Sequence, residues 1–172
     1  MKVIIDTNVL ISTVMFKGKT IYDILQKECI KDKKMKQFVQ FAQKAFIVKD
    51  KKFLIIQKSS ADKLNGGKWE IPGGRKEAGD DLDSQIKREV FNETGLKIIP
   101  KEPVGLWSFM VNKEIEVVVV ARLCELEQEQ QDLVLGDEID NAKWVEINSS
   151  ILNKYEFFEH LKPTLKQFLL KH

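Results

Sequence analysis

A chain of 172 residues is long enough for one compact domain with a real core, and its 43% apolar content is ordinary for such a fold. With 31% charged residues but a formal net charge of only +2, no global field draws it to nucleic acid or to an anionic membrane. No stretch approaches the roughly 18 uninterrupted apolar residues of a membrane-spanning helix, and the two cysteines, Cys29 and Cys124, form no metal-ligand spacing.

The N-terminal run MKVIIDTNVLISTVMF is interrupted by Asp6 and Asn8 and is followed by no small-residue cleavage site, so it does not read as a signal peptide. The expected location is the cytoplasm, with both thiols reduced. Residues 31–36, KDKKMK, form a basic cluster, read as solvated surface, that separates an N-terminal extension (1–34) from the remaining domain (35–172). Segments 38–48 and 53–57 flank the charged turn KDKK and predict a hairpin. Trp69-Glu70-Ile71 predicts a short strand ended by the loop signal Pro72-Gly73-Gly74. Residues 81–94 have helical spacing and stop at Gly95. Strands follow at 104–111 and 115–123, with Asn112-Lys113 between them, and at 143–147. The tail carries Phe157, Leu161, Leu165, Phe168 and Leu169 at helical spacing, with Pro163 starting the last helix. The order predicts an α+β, mixed-sandwich fold rather than repeating βαβ units.

The helix over 82–93 carries the chemistry. At about 100° per residue, Leu82, Ile86 and Val90 fall at roughly 0°, 40° and 80°, which makes them the inward stripe. Glu89 and Glu93 fall at roughly 340° and 20°, within or beside that stripe, and Asn92 at roughly 280°, on its flank. Two carboxylates one turn apart repel each other, and turned inward they also lose hydration. A divalent cation is one natural compensation, with oxygen ligands suiting magnesium or manganese. Placement at the stripe's edge, reaching solvent or a basic partner, is the other. The preceding glycines allow close backbone approach and offer carbonyls as ligands. Asp80, Asp81 and Asp83 crowd the helix N-terminus, where at least one of them is expected to cap it.

The stretch GRKEAGDDLDSQIKREVFNETGL resembles the Nudix box, G-x₅-E-x₇-R-E-U-x-E-E-x-G-U, in which U is a bulky apolar residue. Gly74, Arg88, Glu89, Val90, Glu93, Gly95 and Leu96 match it at the right spacing, and the upstream WEIPGG and later strands extend the similarity over about residues 37–170. The resemblance implies a Nudix-type α/β/α sandwich with a mixed sheet. It also implies a metal-dependent hydrolase, using Mg²⁺ or Mn²⁺, that cleaves a diphosphate linkage in a nucleoside diphosphate joined to another moiety. Carried over by position, Glu89, Glu93, Asn92 and the Gly73 carbonyl would hold metal. Glu89 would alternatively act as base, and Arg88 would orient the acidic cluster by pairing with Asp80. Asp80 stands where the family has its first glutamate, and Asn92 where it usually has a metal-binding one. The amide oxygen of Asn92 can still ligate, but one negative charge is gone, so weaker metal binding or fewer metals is expected.

Glu138, in LGDEIDNAKW, is the candidate for a further acidic group supplied by a later loop, with Asp137 and Asp140 as neighbours able to substitute. Arg75 and Lys68 are candidates to meet substrate phosphates, as are Lys63 and Lys76. Trp69, Trp107 and Phe109 are candidates to stack on a base or, alternatively, core residues. No proline or tyrosine stands roughly 15 to 18 residues past the box, as it does in ADP-ribose or diadenosine-polyphosphate hydrolases of the family, which tilts the preference among substrates toward nucleotide triphosphate clean-up. The expected partner is a small nucleotide or nucleotide derivative, with no membrane and no DNA, and a homodimer is the assembly considered. A non-catalytic nucleotide-binding or sensor module is the alternative. Separately, residues 2–12, KVIIDTNVLIS, resemble the opening strand of PIN-type ribonucleases, with Asp6 at a metal-ligand position. The body that supplies the other acidic ligands is missing, so nuclease activity is not expected.

Overall fold

The structure, a computed structural model, describes residues 38–62 and 66–171. The expected N-terminal strand and helix, the PIN-like resemblance at Asp6, the boundary at Met35 and Lys63 lie outside the described residues. Nine elements follow in chain order: β1 (Phe38–Lys49), β2 (Lys52–Lys58), β3 (Trp69–Glu70), α1 (Leu82–Thr94), β4 (Ile98–Met110), β5 (Ile115–Leu126), β6 (Ile139–Glu146), α2 (Ile151–Lys154) and α3 (Lys162–Lys171).

The expected hairpin forms with a two-residue tip. Asp50 and Lys51 take positive φ, 50° and 58°, the left-handed pair whose twist matches that of the flanking strands. β1 and β2 then pair only at Val48–Phe53 and Lys49–Lys52 before they diverge. β1 runs on in parallel register with β5, from Phe38–Ile115 to Ile47–Cys124, and β5 pairs antiparallel with β4. β2 lies between β3 and β6, antiparallel to both. The sheet is therefore mixed and branched at the hairpin, in the order β3-β2-β1-β5-β4 with β6 on β2.

Alternation along the strands divides the core. Ala45, Ile47 and Leu54 pack with Ile86 and Val90 of α1, Leu96, Ile98 and Cys124 on one face. Phe46, Phe53, Ile55 and Val145 pack with Leu165 and Phe168 of α3 on the other, where Phe46 and Phe168 stack at 3.9 Å. Two helices thus sandwich the sheet, as the α+β expectation required. The Cys124 thiol is fully buried, and burial pushes it up to about 12.

Some boundaries differ from the sequence expectation. β4 starts at Ile98 and passes through Pro100 and Pro103, because it is an edge strand where a missing N–H breaks no essential ladder bond. The register shifts at both prolines, and the Arg122 guanidinium donates to the Lys101 carbonyl at 2.8 Å across the gap. The last strand begins at Ile139 rather than 143, and the four-residue α2 has no periodicity long enough to announce it.

Candidate active site

α1 is fixed at both ends by the residues the sequence offered. Asp81 caps it, its carboxylate accepting from the Asp83 and Ser84 N–H groups, both at 3.0 Å, and from the Ser84 hydroxyl at 2.6 Å. The Ser84 hydroxyl and N–H hold this carboxyl below its ordinary range. Gly95 closes the helix at φ 71°, its N–H donating to the Phe91 carbonyl. With Ile86 and Val90 fully buried, the same face draws Glu93 inward to 8% exposure and leaves Glu89 at the edge.

The glycine loop meets this face. Residues 72–76 run antiparallel along the free side of β1: Ala45 N–H donates to Pro72 O at 2.7 Å, Gln43 N–H to Gly74 O at 3.0 Å, and Lys76 N–H to Phe41 O at 2.8 Å. The two glycines are required for different reasons. Gly73 has φ 125°, and a Cβ there would lie 2.3 Å from the Gln43 carbonyl oxygen. A Cβ on Gly74 would lie 2.0 Å from Glu89 Oε2, so the missing side chain is the cradle in which the Glu89 carboxylate rests. A buried amide relay locks helix to loop. Gln43 Nε2 donates to Leu82 O at 2.6 Å and Gln85 Oε1 at 2.8 Å, and Gln85 Nε2 donates to Gly74 O at 2.9 Å.

Behind the loop lies an acid–lysine cluster. Glu93 Oε2 accepts the Gly73 N–H at 2.7 Å, and Oε1 faces Lys58 Nζ at 3.0 Å. Lys58 also stands 3.6 Å from both Glu70 and Glu138. Glu70 in turn pairs with Lys44 Nζ at 2.5 Å, and Lys44 donates to the Gly73 carbonyl at 2.6 Å. Burial pushes the Glu93 carboxyl above its ordinary range, against the pull of Lys44, Lys58 and the Gly73 N–H. Burial alone would lower the Lys58 ammonium, but Glu70, Glu93 and Glu138 outweigh it and raise it, so it stays charged. On the outer side of α1, Arg88 binds Asp80 at 2.7 Å and Glu89 Oε1 at 2.5 Å, with Glu77 at 3.5 Å. The Arg88 hydrogen bond holds the Asp80 carboxyl low, and Asp80 raises Arg88 in return.

Gly73, Asp80, Arg88, Glu89, Glu93 and Glu138 therefore meet in one region, Glu138 from the rim with its side chain 86% exposed. Asn92 is exposed on the flank of α1, where the wheel put it. Arg75 is exposed and bridges to Ala42, and the Lys68 ammonium lies 5.6 Å from the Phe158 ring centroid. Trp69, a candidate for the substrate or alternatively for the core, is a core residue at 6% exposure beside Tyr155, because strand alternation sends it and Ile71 into the α3-side core. Asp140 accepts from the Ser60 N–H at 2.7 Å and so braces the β2 turn.

Sequence reasoning passed over Glu70, Lys44, Lys58, Gln43 and Gln85. Each has a signal: a polar side chain inside an apolar strand or helix face, such as the Gln43-Lys44 doublet within FAQKAFIV. Trp107 and Phe109 are half-buried on β4. Directly paired residues share a sheet face, and the rows Lys44–Ala121–Gly105 and Ala42–Val119–Trp107 place this wall on the same face as Lys44. His160 completes it, its ring 3.9 Å from Phe109 at 5° and its Nδ1 accepting from Trp107 Nε1 at 3.2 Å. That bond places the neutral imidazole's proton on Nε2. Burial lowers the His160 imidazole, with Glu70 opposing it.

Among the described residues, no three acidic, histidine or cysteine side chains converge as a ready metal cage. Magnesium does not need one: it keeps several waters and binds through one or two carboxylates plus substrate phosphates. Glu89, resting in the Gly74 cradle, Glu93 and the Gly73 carbonyl are hard oxygen donors of that kind, so the residues present fit such an ion.

The NUDIX domain matches residues 40–168. No curated protein matches the chain. Among solved structures, a MutT protein from Methanosarcina mazei Go1 is 24% identical with a TM-score of 0.67, over 78% of this chain and 95% of that one. An ADP-ribose pyrophosphatase from Streptococcus suis is 19% identical with a TM-score of 0.56, over 77% and 94%. A UDP-X diphosphatase is 18% identical with a TM-score of 0.59, over 86% and 69%.

Proposed function

The chain belongs to the Nudix family of pyrophosphohydrolases, which act on acid anhydrides, and from that premise we propose that it uses Mg²⁺ or Mn²⁺ to cleave the diphosphate linkage of a nucleoside diphosphate joined to another moiety. The observation that carries the reading is the convergence of Glu89 and Glu93 on the glycine loop, one carboxylate in the Gly74 cradle and the other on the Gly73 N–H. Glu89, Glu93 and the Gly73 carbonyl would hold the cation, with the Asn92 amide and Glu138 as outer candidates. When bound, the cation supplies charge neutralisation on the phosphate oxygens and acidification of a water.

The remaining roles belong to the chain's own groups. Arg88 fixes Glu89 through Oε1 alone and leaves Oε2 directed at the loop, the orientation a general base needs to take a proton from water. Asp80 keeps Arg88 in that position. Glu138 reaches the cluster from an exposed rim position, 3.6 Å from Lys58, where it would be open to an arriving substrate. Arg75, exposed, and Lys68, half-exposed, would meet outer phosphates. Trp107 and Phe109 offer the half-buried aromatic faces on which a base would stack, the part that Trp69 does not take.

The test is a panel of nucleoside triphosphates and diphosphate derivatives incubated with Mg²⁺ or Mn²⁺, scored for a phosphorylated product. Turnover is expected with at least one of them, abolished by Glu93→Gln and strongly reduced by Glu89→Gln. Variants that match wild type sink the mechanism. The exposed Asn92, in place of an acid, favours one second reading, a nucleotide-binding module without turnover. Tight binding without product, with activity gained on Asn92→Glu, would establish that reading instead.

A further inference from the structure

The Gly73 carbonyl already has a cationic partner. Lys44 rises from β1 on the α3 side of the sheet, its side chain only 13% exposed, and its ammonium is shared between that carbonyl and Glu70. Lys58 does the same for Glu93, Glu70 and Glu138. The inner acids of the cluster are thus neutralised from within the chain, and the Gly73 carbonyl oxygen, assigned above as a ligand of the cation, already accepts from a charge of the same sign as a metal ion. A lysine ammonium and a divalent ion on one carbonyl oxygen would sit within a few ångströms of each other in a poorly solvated site, where like charges repel strongly. Both cannot bind there together.

We propose that Lys44, anchored by Glu70, is a resident cation that stands in for the divalent ion at the Gly73 carbonyl, so that metal binding requires its ammonium to leave that carbonyl. The four-carbon stem lets the head swing without moving β1, and the sheet face it occupies is the one that carries the aromatic wall. A displaced ammonium therefore remains beside an incoming polyphosphate as a positioning residue. Asn92 and Lys44 act in the same direction, one removing a negative charge and the other adding a competing positive one.

The inference rests on the cation reading above and is tested by metal binding rather than by turnover. Free Mn²⁺ in titrations of the full chain is measured by electron paramagnetic resonance for wild type, Lys44→Met and Lys113→Met. Lys113 lies in the exposed β4–β5 turn and controls for the loss of one positive charge. Lys44→Met should bind Mn²⁺ about tenfold more tightly, the scale on which groups around a metal ligand set its affinity. Lys113→Met should bind as wild type does. Thermal melting separates this effect from misfolding: without metal Lys44→Met melts lower, because Glu70 keeps only Lys58, and Mn²⁺ raises its midpoint more than that of wild type. Equal or weaker binding by a folded Lys44→Met overturns the proposal while leaving the cation site standing. Equal tightening by Lys113→Met overturns it too. Absence of Mn²⁺ binding by every protein overturns both.

Discussion

Adjacent glycines in the loop should fail in opposite ways when each gains one methyl group. Gly73→Ala forces an L-residue to φ 125° and drives its Cβ to 2.3 Å from the Gln43 carbonyl oxygen and 2.9 Å from the Lys44 Cα, both backbone atoms of a central strand. Backbone strain of that kind costs about 1–3 kcal/mol by itself, and the strand cannot retreat without breaking its ladder to β5, so a total of about 3 kcal/mol follows. At roughly 2–4 °C per kcal/mol for a chain of this size, the melting midpoint should fall by roughly 6–12 °C. Gly74→Ala meets only the end of a side chain, Glu89 Oε2 at 2.0 Å and Cδ at 2.7 Å. The carboxylate turns away, so stability should change little, but the displacement exceeds 1 Å and should lower kcat/KM about 100-fold. Circular-dichroism melts and a product-release assay on both variants provide the check. A Gly73→Ala protein as stable as wild type would refute the reading of the loop as a strained close approach. A Gly74→Ala protein that is both stable and fully active would refute the cradle.

Two further outcomes follow from the electrostatics and the capping. The neutral His160 imidazole is favoured in the folded protein, so as pH falls below its ordinary value of 6.5 the unfolded chain takes up the proton first. Stability contributed by this residue is complete above that value and declines as pH drops toward the lower folded value. His160→Phe keeps the stack on Phe109 and should therefore lose less stability than wild type between about pH 7.5 and 5.5 in urea titrations; parallel losses would exclude the assignment. Asp81→Ala removes the bonds to the Asp83 and Ser84 N–H groups and should cost about 1 kcal/mol, read as a lower urea midpoint with an unchanged slope. No loss would mean that another group caps α1.

What the sequence made legible is what local physics alone decides. The hairpin tip, the Asp81 cap, the Gly95 stop and the inward turn of Glu93 each depend on residues a few positions apart. The helical wheel needed only the apolar stripe of Leu82, Ile86 and Val90 to orient both carboxylates. Residues contributed from distant strands could not be read in this way. Glu70 and Lys44 meet only because the 72–76 segment runs beside β1, and Lys58 joins them because β2 carries β3 on that side. Other registers would fit the same alternation, and the folded one places Lys44 and Lys58 against Glu70. Trp69 illustrates the converse. Its large, amphipathic ring is equally suited to a ligand or a core, and the parity of a two-residue strand decided for the core.

The doublet Gln43-Lys44 shows how tightly threading and chemistry are joined here. Gln43 faces α1 and ties the loop to the helix through Gln85; Lys44 faces α3 and ties the same loop through Gly73. A strand that slips by one residue sends every side chain to the opposite face. A slip that placed Lys44 against the Leu82 carbonyl would put Ala45 in its stead beside Glu70. Mispaired molecules would thus lack the amide relay and the lysine counter-charge together, so the site acts as a proofreader of its own sheet: only a correctly threaded β1 can assemble it.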